Sequence, residues 1–263
     1  MTTLTLLEGD CLQLLKNVPD GSVDMVLADL PYGTTACKWD SIIPLEPLWE
    51  QYIRVCKPES VIVLFGSQPF TTQLIASNMR MFKYCWVWEK NRPTGVHHAK
   101  NMPLKLHEDI AVFSPSPIVH ASLKKSFRMP YYPQGVTQGK EKTVGANRCS
   151  NLTGPWTRQY GKKYQSYTGY PVSLLRFSKS EAHLHPTEKP VPLLEYLIRT
   201  YTSEGQTVLD NTMGSGSTGV ACVNTQRCFI GMELDPVFYE LARERVLAAH
   251  KALGELNLAQ DWE

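Results

Sequence analysis

The stretch that most constrains this chain is Gly214-Ser215-Gly216-Ser217-Thr218-Gly219. It follows Thr207-Val208-Leu209-Asp210, a short β-branched run ending in an acid, and precedes helical spacing over residues 220–224. A strand, a glycine turn and a helix in that order match the dinucleotide fingerprint, whose glycines let a ligand touch the backbone and let the helix pack closely. The next apolar run, Cys228–Glu233, ends in an acid that suits the two hydroxyls of a ribose. Glu233 lies fourteen residues after Gly219, a spacing that does not separate NAD from another adenosine-containing ligand. A purely structural glycine turn is the alternative.

The rest of the chain repeats the same alternation. Residues 3–7 read as a strand, 11–17 as a helix and Val23–Ala28 as a fully buried strand. Residues 44–56 have helical spacing, Lys57-Pro58-Glu59 breaks it, and 61–65 form another buried strand. A helix over 70–78, an aromatic strand over 83–89 and a strand at 110–113 follow. After the glycine turn and Cys228–Glu233, residues 236–250 are helical. Strands alternating with helices predict a doubly wound, mostly parallel α/β sheet. Residues 90–103 read as a polar loop. From 115 to 182 no period is evident, which predicts an irregular insert in that sheet.

Charge separates the insert from the rest. Residues 121–180 hold eleven Lys and Arg against one acid, Glu141, while the remainder carries sixteen basic and twenty-four acidic residues. Such asymmetry points to a polyanion-binding face on an acidic body. Phe127, Tyr131, Tyr132, Trp156, Tyr160, Tyr164, Tyr167, Tyr170 and Phe177 lie among the cations, as contact with phosphates and exposed bases requires. The contact candidates are Lys90, Arg92, Lys124, Lys125, Arg128, Arg148, Arg158, Lys162 and Lys163. Seven cysteines without a C-x-x-C pair suggest neither a disulfide framework nor a zinc site, and reduced cysteines imply a cytoplasmic protein. The histidines 97, 98, 183 and 185 lack metal-ligand spacing. No membrane span or secretion signal is read.

Two further acids stand at strand ends. Asp29-Leu30-Pro31-Tyr32 closes the Val23–Ala28 run, so a carboxylate and a phenol ring emerge at the edge where open α/β sheets bind ligands. An Asp-containing turn with no further role is the plainer reading. Asp10 precedes a helical run, as an N-cap would, and is equally placed to accept a hydrogen bond from a nucleoside.

Taken together, these pieces resemble the amino-methylating DNA methyltransferases of the β arrangement. Asp29-Leu30-Pro31-Tyr32 is similar to their Asp-Pro-Pro-Tyr catalytic motif, with Leu30 where Pro is common. The stretch from Asp210 to Thr218 is similar to their cofactor motif, and His185-Pro186-Thr187-Glu188-Lys189-Pro190 to the element just before it. Glu8-Gly9-Asp10 is similar to the acidic element ahead of the catalytic strand. The order, catalytic motif first and cofactor motif last, is that of the family.

The resemblance implies a methyltransferase fold with a catalytic half over 1–114, a target-recognition insert over 115–182, a cofactor-binding half over 183–250 and a polar tail over 251–263. It implies S-adenosylmethionine as cofactor and methyl transfer to the N6 amino group of a flipped-out adenine in double-stranded DNA. Asp29, Leu30, Pro31 and Tyr32 would be the catalytic set. Asp10, Cys11, Asp29, Thr187, Lys189, Asp210, Met213, Gly214, Ser215, Gly216, Thr218, Glu233 and Leu234 would line the cofactor, with Thr187 and Lys189 on the methionine carboxylate. A cognate restriction endonuclease is an implied partner, and family members occur as monomers and homodimers. An N4-cytosine, RNA or protein methyltransferase, a catalytically idle nucleic-acid-binding module and an NAD-dependent oxidoreductase are the competing readings. The oxidoreductase leaves the 29–32 motif and the basic insert without a role.

Overall fold

The structure is a computed structural model that describes residues 2–33, 42–119, 128–143, 163–178 and 188–260. It divides into two compact units, residues 133–172 and the remainder of the chain.

In chain order the elements are β1 (Leu4–Glu8), α1 (Cys11–Leu14), β2 (Val23–Ala28), α2 (Leu45–Val55), β3 (Cys56–Gly66), α3 (Phe70–Ser77), β4 (Phe82–Thr94), β5 (Lys105–Phe113), β6 (Thr137–Thr143), β7 (Lys163–Thr168), β8 (Leu174–Arg176), α4 (Val191–Tyr201), β9 (Thr207–Asp210), α5 (Ser217–Asn224), β10 (Cys228–Glu233) and α6 (Pro236–Gln260). The larger unit is built on a sheet of order β1-β10-β9-β2-β3-β5-β4-β8. Only β5 runs antiparallel to its neighbours β3 and β4; the other pairs are parallel.

Side-chain alternation on the central strands decides the layers. Met25 and Leu27 of β2, with Val61, Val63 and Phe65 of β3, face Leu193, Leu194, Leu197 and Ile198 of α4. Val26 and Ala28, with Ile62 and Leu64, face Leu48, Trp49, Tyr52 and Val55 of α2. Every residue of β2 is buried, because helices cover both faces and leave no solvated side. Its one acid, Asp24, is neutralised where it lies. It accepts from Lys57 Nζ at 2.7 Å, Gln206 Nε2 at 2.9 Å and the Thr207 amide at 2.9 Å.

The structure departs from the sequence reading at several elements. β3 begins at Cys56 and runs through Pro58, with a register shift between Val23 and Met25 of its partner. A proline in a strand is tolerated at such an irregularity. β4 continues to Thr94, where a loop is expected from residue 90, and pairs Thr94 with Lys105. Within the region expected to be irregular, β6 and β7 form an antiparallel hairpin, the framework of the smaller unit. β8 joins the main sheet beside β4, and the Trp88 indole donates to the Phe177 carbonyl at 2.9 Å. Lastly, α6 extends to Gln260 rather than ending at 250.

Candidate active site

The parallel strands β1, β10, β9, β2 and β3 end at one edge of the sheet, and a cavity of about 530 Å3 opens there. Asp29, Leu30, Pro31 and Tyr32 leave β2 into its wall. The Tyr32 hydroxyl donates to Asp29 Oδ1 at 2.5 Å. Its ring stacks on Phe70 of α3, with centroids 5.0 Å apart and 28° between planes. Thr212 Oγ1 donates to the Asp29 carbonyl at 3.1 Å, tying the turn after β2 to the loop after β9.

The second oxygen of Asp29 is taken by the Lys189 ammonium. Lys189 is buried, lies 5.0 Å from the centroid of the Phe65 ring, and sits 3.4 Å from Glu108 Oε2 on β5. The other oxygen of Glu108 holds Lys90 Nζ at 3.2 Å. Two acids and two cations therefore alternate: Asp29, Lys189, Glu108, Lys90. Burial pushes the Asp29 carboxyl above its usual range; the Lys189 charge opposes the rise and the Glu108 charge adds to it. Burial also works to raise Glu108, but the ammonium groups of Lys189 and Lys90 outweigh it and hold Glu108 below the usual carboxylate range. Of the two acids, Asp29 is the one poised to take a proton.

The loop after β9 supplies the other wall. Met213, Gly214, Ser215 and Thr218 line the cavity with Asp210. The Asp210 carboxyl is pushed up to about 7 by burial, against the Thr218 hydroxyl and the Thr212 amide, with Asp29 and Glu233 adding to the rise. Glu233 accepts from the Gly214 amide at 2.9 Å, and from the amides of Leu234 and Asp235 at 2.9 and 3.0 Å. Asp10 caps α1, accepting from the Gln13 amide at 3.1 Å, and still lines the cavity with Cys11 and Leu234. The capping role and the cavity position thus coexist.

Gly216 and Gly219 face elsewhere. Gly216 adopts φ +78°, and a Cβ there would meet Ala242 of α6 at 3.0 Å. A Cβ on Gly219 would lie 2.5 Å from Val246 Cγ2. These two glycines let α5 pack on α6, while Gly214 is the one that lines the cavity.

The family model for DNA methylases matches residues 23–244. The chain belongs to this DNA methylase family.

Curated relatives of the methylase include the Type II methyltransferase M.HpaI of Haemophilus parainfluenzae, 24% identical over 92% of this chain and 73% of the relative. The DNA adenine methyltransferase YhdJ of Escherichia coli strain K12 is 26% identical over 96% of this chain and 86% of its own. Among solved structures, the cytosine-N4-specific PvuII DNA methyltransferase matches with a TM-score of 0.65 at 16% identity, over 96% of this chain and 93% of that one. The M1.HpyAVI complex with SAM matches at 0.59 and 21% identity, over 92% and 100%. These structural matches establish the fold.

Of the residues expected at the cofactor, Asp10, Cys11, Asp29, Lys189, Asp210, Met213, Gly214, Ser215, Thr218, Glu233 and Leu234 converge on the methylase cavity. Gly216 is not among its lining residues, and Thr187 lies outside the described residues. Of the expected DNA contacts, Arg92, Arg128 and Lys163 are exposed. Lys90 is not: it is 5% exposed and committed to Glu108. Lys124, Lys125, Arg148, Arg158 and Lys162 lie outside the described residues. Sequence reasoning gave no role to Glu108, Phe70, Glu188 or Arg245. Arg245 binds Glu188 at 2.6 Å and the Ser217 hydroxyl at 3.1 Å, clamping the segment that carries Lys189 to α5 and α6. The signal for Glu108 was an acid entering an apolar strand.

Proposed function

We propose that the methylase transfers a methyl group from S-adenosylmethionine to the N6 amino group of an adenine that has left the stack of double-stranded DNA. The observation that carries this reading is the meeting of Asp29 and Tyr32 with Asp210, Gly214 and Glu233 around one cavity. The donor set fits the cofactor. S-adenosylmethionine brings a sulfonium and an ammonium, and the cavity answers with Asp10, Asp210 and Glu233. A buried Asp210 raised to about 7 returns to its charged form beside a cation. Glu233 would hold the ribose with the lone pairs its three amide bonds leave free. The bound group supplies an electrophilic methyl.

The chain's own residues orient the acceptor. Tyr32, backed by Phe70, offers a flat face on which an extruded base stacks. Asp29 and the Leu30 carbonyl accept the two amino hydrogens, which turns the nitrogen lone pair out of the ring plane. Both Asp29 oxygens carry a partner in this structure, but a carboxylate has about four lone-pair sites, so the amine can bind beside them. Lys189 acts here on Asp29 rather than on the methionine carboxylate, because its ammonium lies between two acids. Asp29, raised by burial, is also the group that takes the proton the methylated nitrogen sheds. Positioning supplies most of the acceleration.

Methylation of N4 of cytosine is the second reading, favoured by the likeness to a cytosine-N4-specific enzyme. The Type II names among the relatives support pairing with a restriction endonuclease. Among the described residues no helix is long and apolar enough to cross a membrane; a cytoplasmic site of action belongs to this proposal. The experiment is to incubate the protein with duplex genomic DNA and S-adenosylmethionine carrying a labelled methyl, then separate the nucleosides. Label in N6-methyladenine is expected. Label in N4-methylcytosine would transfer the assignment to the second reading.

A further inference from the structure

The β4–β5 hairpin overhangs the active edge of the sheet. β5 pairs antiparallel with β3 and with β4, so β4 runs parallel to β3 and its carboxyl end lies with those of β2 and β3. β3 stops at Gly66, opposite Asp109. Pairing between β4 and β5 goes on past that rung, through Glu89 with His107 to Thr94 with Lys105. The turn over residues 95–104 therefore stands beyond the edge at which Asp29 and Tyr32 emerge.

Its surface has one sign and an apolar component. Residues 91–107 hold Arg92, Lys100, Lys105 and three histidines and no acid. Residues 91–107 are exposed except Thr94. Val96 is 67% and Met102 51% exposed, and Leu104 and Leu106 are exposed as well. The hairpin is also anchored. Lys105 Nζ donates to Ser67 Oγ at 3.0 Å and to the Gln68 carbonyl at 3.2 Å, at the exit of β3. At its base the Lys90–Glu108 pair continues into Lys189 and Asp29.

We propose that the hairpin tip, residues 92–104, is a duplex-contacting wedge separate from the basic insert. Arg92 and Lys100 neutralise backbone phosphates, and Val96 and Met102 press against base pairs beside the target and occupy the space an extruded base vacates. The inference rests on duplex DNA being the substrate. Absence of acids over the whole overhang complements a polyanion. Exposed aliphatic side chains at the tip are what proteins insert between base steps. The overhang places both at the edge where the acceptor base must be received.

The test uses the full chain with two double variants at exposed positions, Arg92→Glu with Lys100→Glu, and Val96→Ser with Met102→Ser. Duplex affinity is read by fluorescence anisotropy across a salt series. Single-turnover methylation is read on a matched duplex and on one with the target base mispaired. The charge variant is expected to weaken duplex binding at least about tenfold and to reduce the salt slope by roughly two. The apolar variant is expected to keep duplex affinity and cofactor affinity, slow methylation of the matched duplex by about tenfold, and recover on the mispaired target, whose unstacking cost is already met. An unchanged salt slope in the charge variant, or equal rates on matched and mispaired targets relative to wild type, would overturn the proposal. So would a dimer that sediments as a monomer in either variant with DNA binding intact, since the tip would then be a contact between two copies. Wild-type protein that binds duplex but methylates none would sink the functional reading instead, while the salt slopes would still decide the role of the tip.

Discussion

Lys189 places its ammonium on the carboxylate of Asp29, 160 positions earlier in the chain. The cation belongs to the segment leading into α4 and the acid to the turn after β2; β9 returns between β2 and β10 and closes the cavity behind them. The residue expected to bind the methionine carboxylate is thereby paired with the residue expected to bind the acceptor amine.

Lys189→Gln separates these roles. Methyl transfer in a single turnover should fall by more than about a hundredfold, since a misplaced reacting group costs that much, while the dissociation constant for S-adenosylmethionine changes little. The folded protein should also lose roughly 3–5 kcal/mol, because Asp29 then loses its buried counter-charge and Glu108 keeps only Lys90. Calorimetric loss of cofactor affinity with turnover preserved would return Lys189 to the methionine carboxylate.

Glu108→Gln tests the charge chain through pH. Asp29 must be ionised to accept the amine, so the rate falls as pH drops through its raised pKa. The groups facing Asp29 are Lys189, Glu108, Tyr32 and Asp210. Glu108 raises the Asp29 pKa, and removing its charge lets Lys189 stabilise the Asp29 carboxylate more fully. The acid limb of the single-turnover rate should therefore move to lower pH. A limb that stays in place would remove Glu108 from the site.

Asp210 should make cofactor binding depend on pH. Its carboxyl is raised to about 7, so it is largely protonated below that pH, and a cationic ligand favours the ionised form. Affinity for S-adenosylmethionine should weaken as pH falls below about 7, by up to roughly tenfold per unit. S-adenosylhomocysteine, which lacks the sulfonium charge, should show a shallower dependence, and Asp210→Asn should flatten both. Titration calorimetry at pH 6, 7 and 8 reads all three.

Tyr32→Ala should cut turnover sharply, since stacking on a base is worth about 1–3 kcal/mol, and the substitution also uncovers the buried Phe70 ring behind it. Tyr32→Phe keeps the ring and removes only the bond to Asp29, so its turnover should stay within about tenfold of wild type. A large loss in the Phe variant would give the hydroxyl a part in the chemistry.

Gly219→Ala should act on stability alone. The added methyl would lie 2.5 Å from Val246 Cγ2 and 2.8 Å from Phe229 Cε1, an overpacking cost of about 1–3 kcal/mol. Thermal unfolding should shift downward while the folded fraction binds cofactor normally. Weakened cofactor binding at full stability would mean that Gly219 touches the ligand.

By itself the sequence determined the alternation of strands and helices, the glycine turn after β9, the acid-and-ring motif after β2 and the acid ending β10. Those are local patterns. A period of two or of 3.6 and the turn chemistry of glycine and proline are written in neighbouring residues. The tertiary structure alone decided that Lys189 belongs to Asp29, that Glu108 and Lys90 complete the charge chain, and that Lys90 is absent from the surface. It also decided that Gly216 and Gly219 serve helix packing and that the β4–β5 hairpin overhangs the active edge. The reason is physical. Buried charges are stable only beside opposite charges, and which charges meet depends on strand order and on where a distant segment returns, neither of which leaves a trace in adjacent residues.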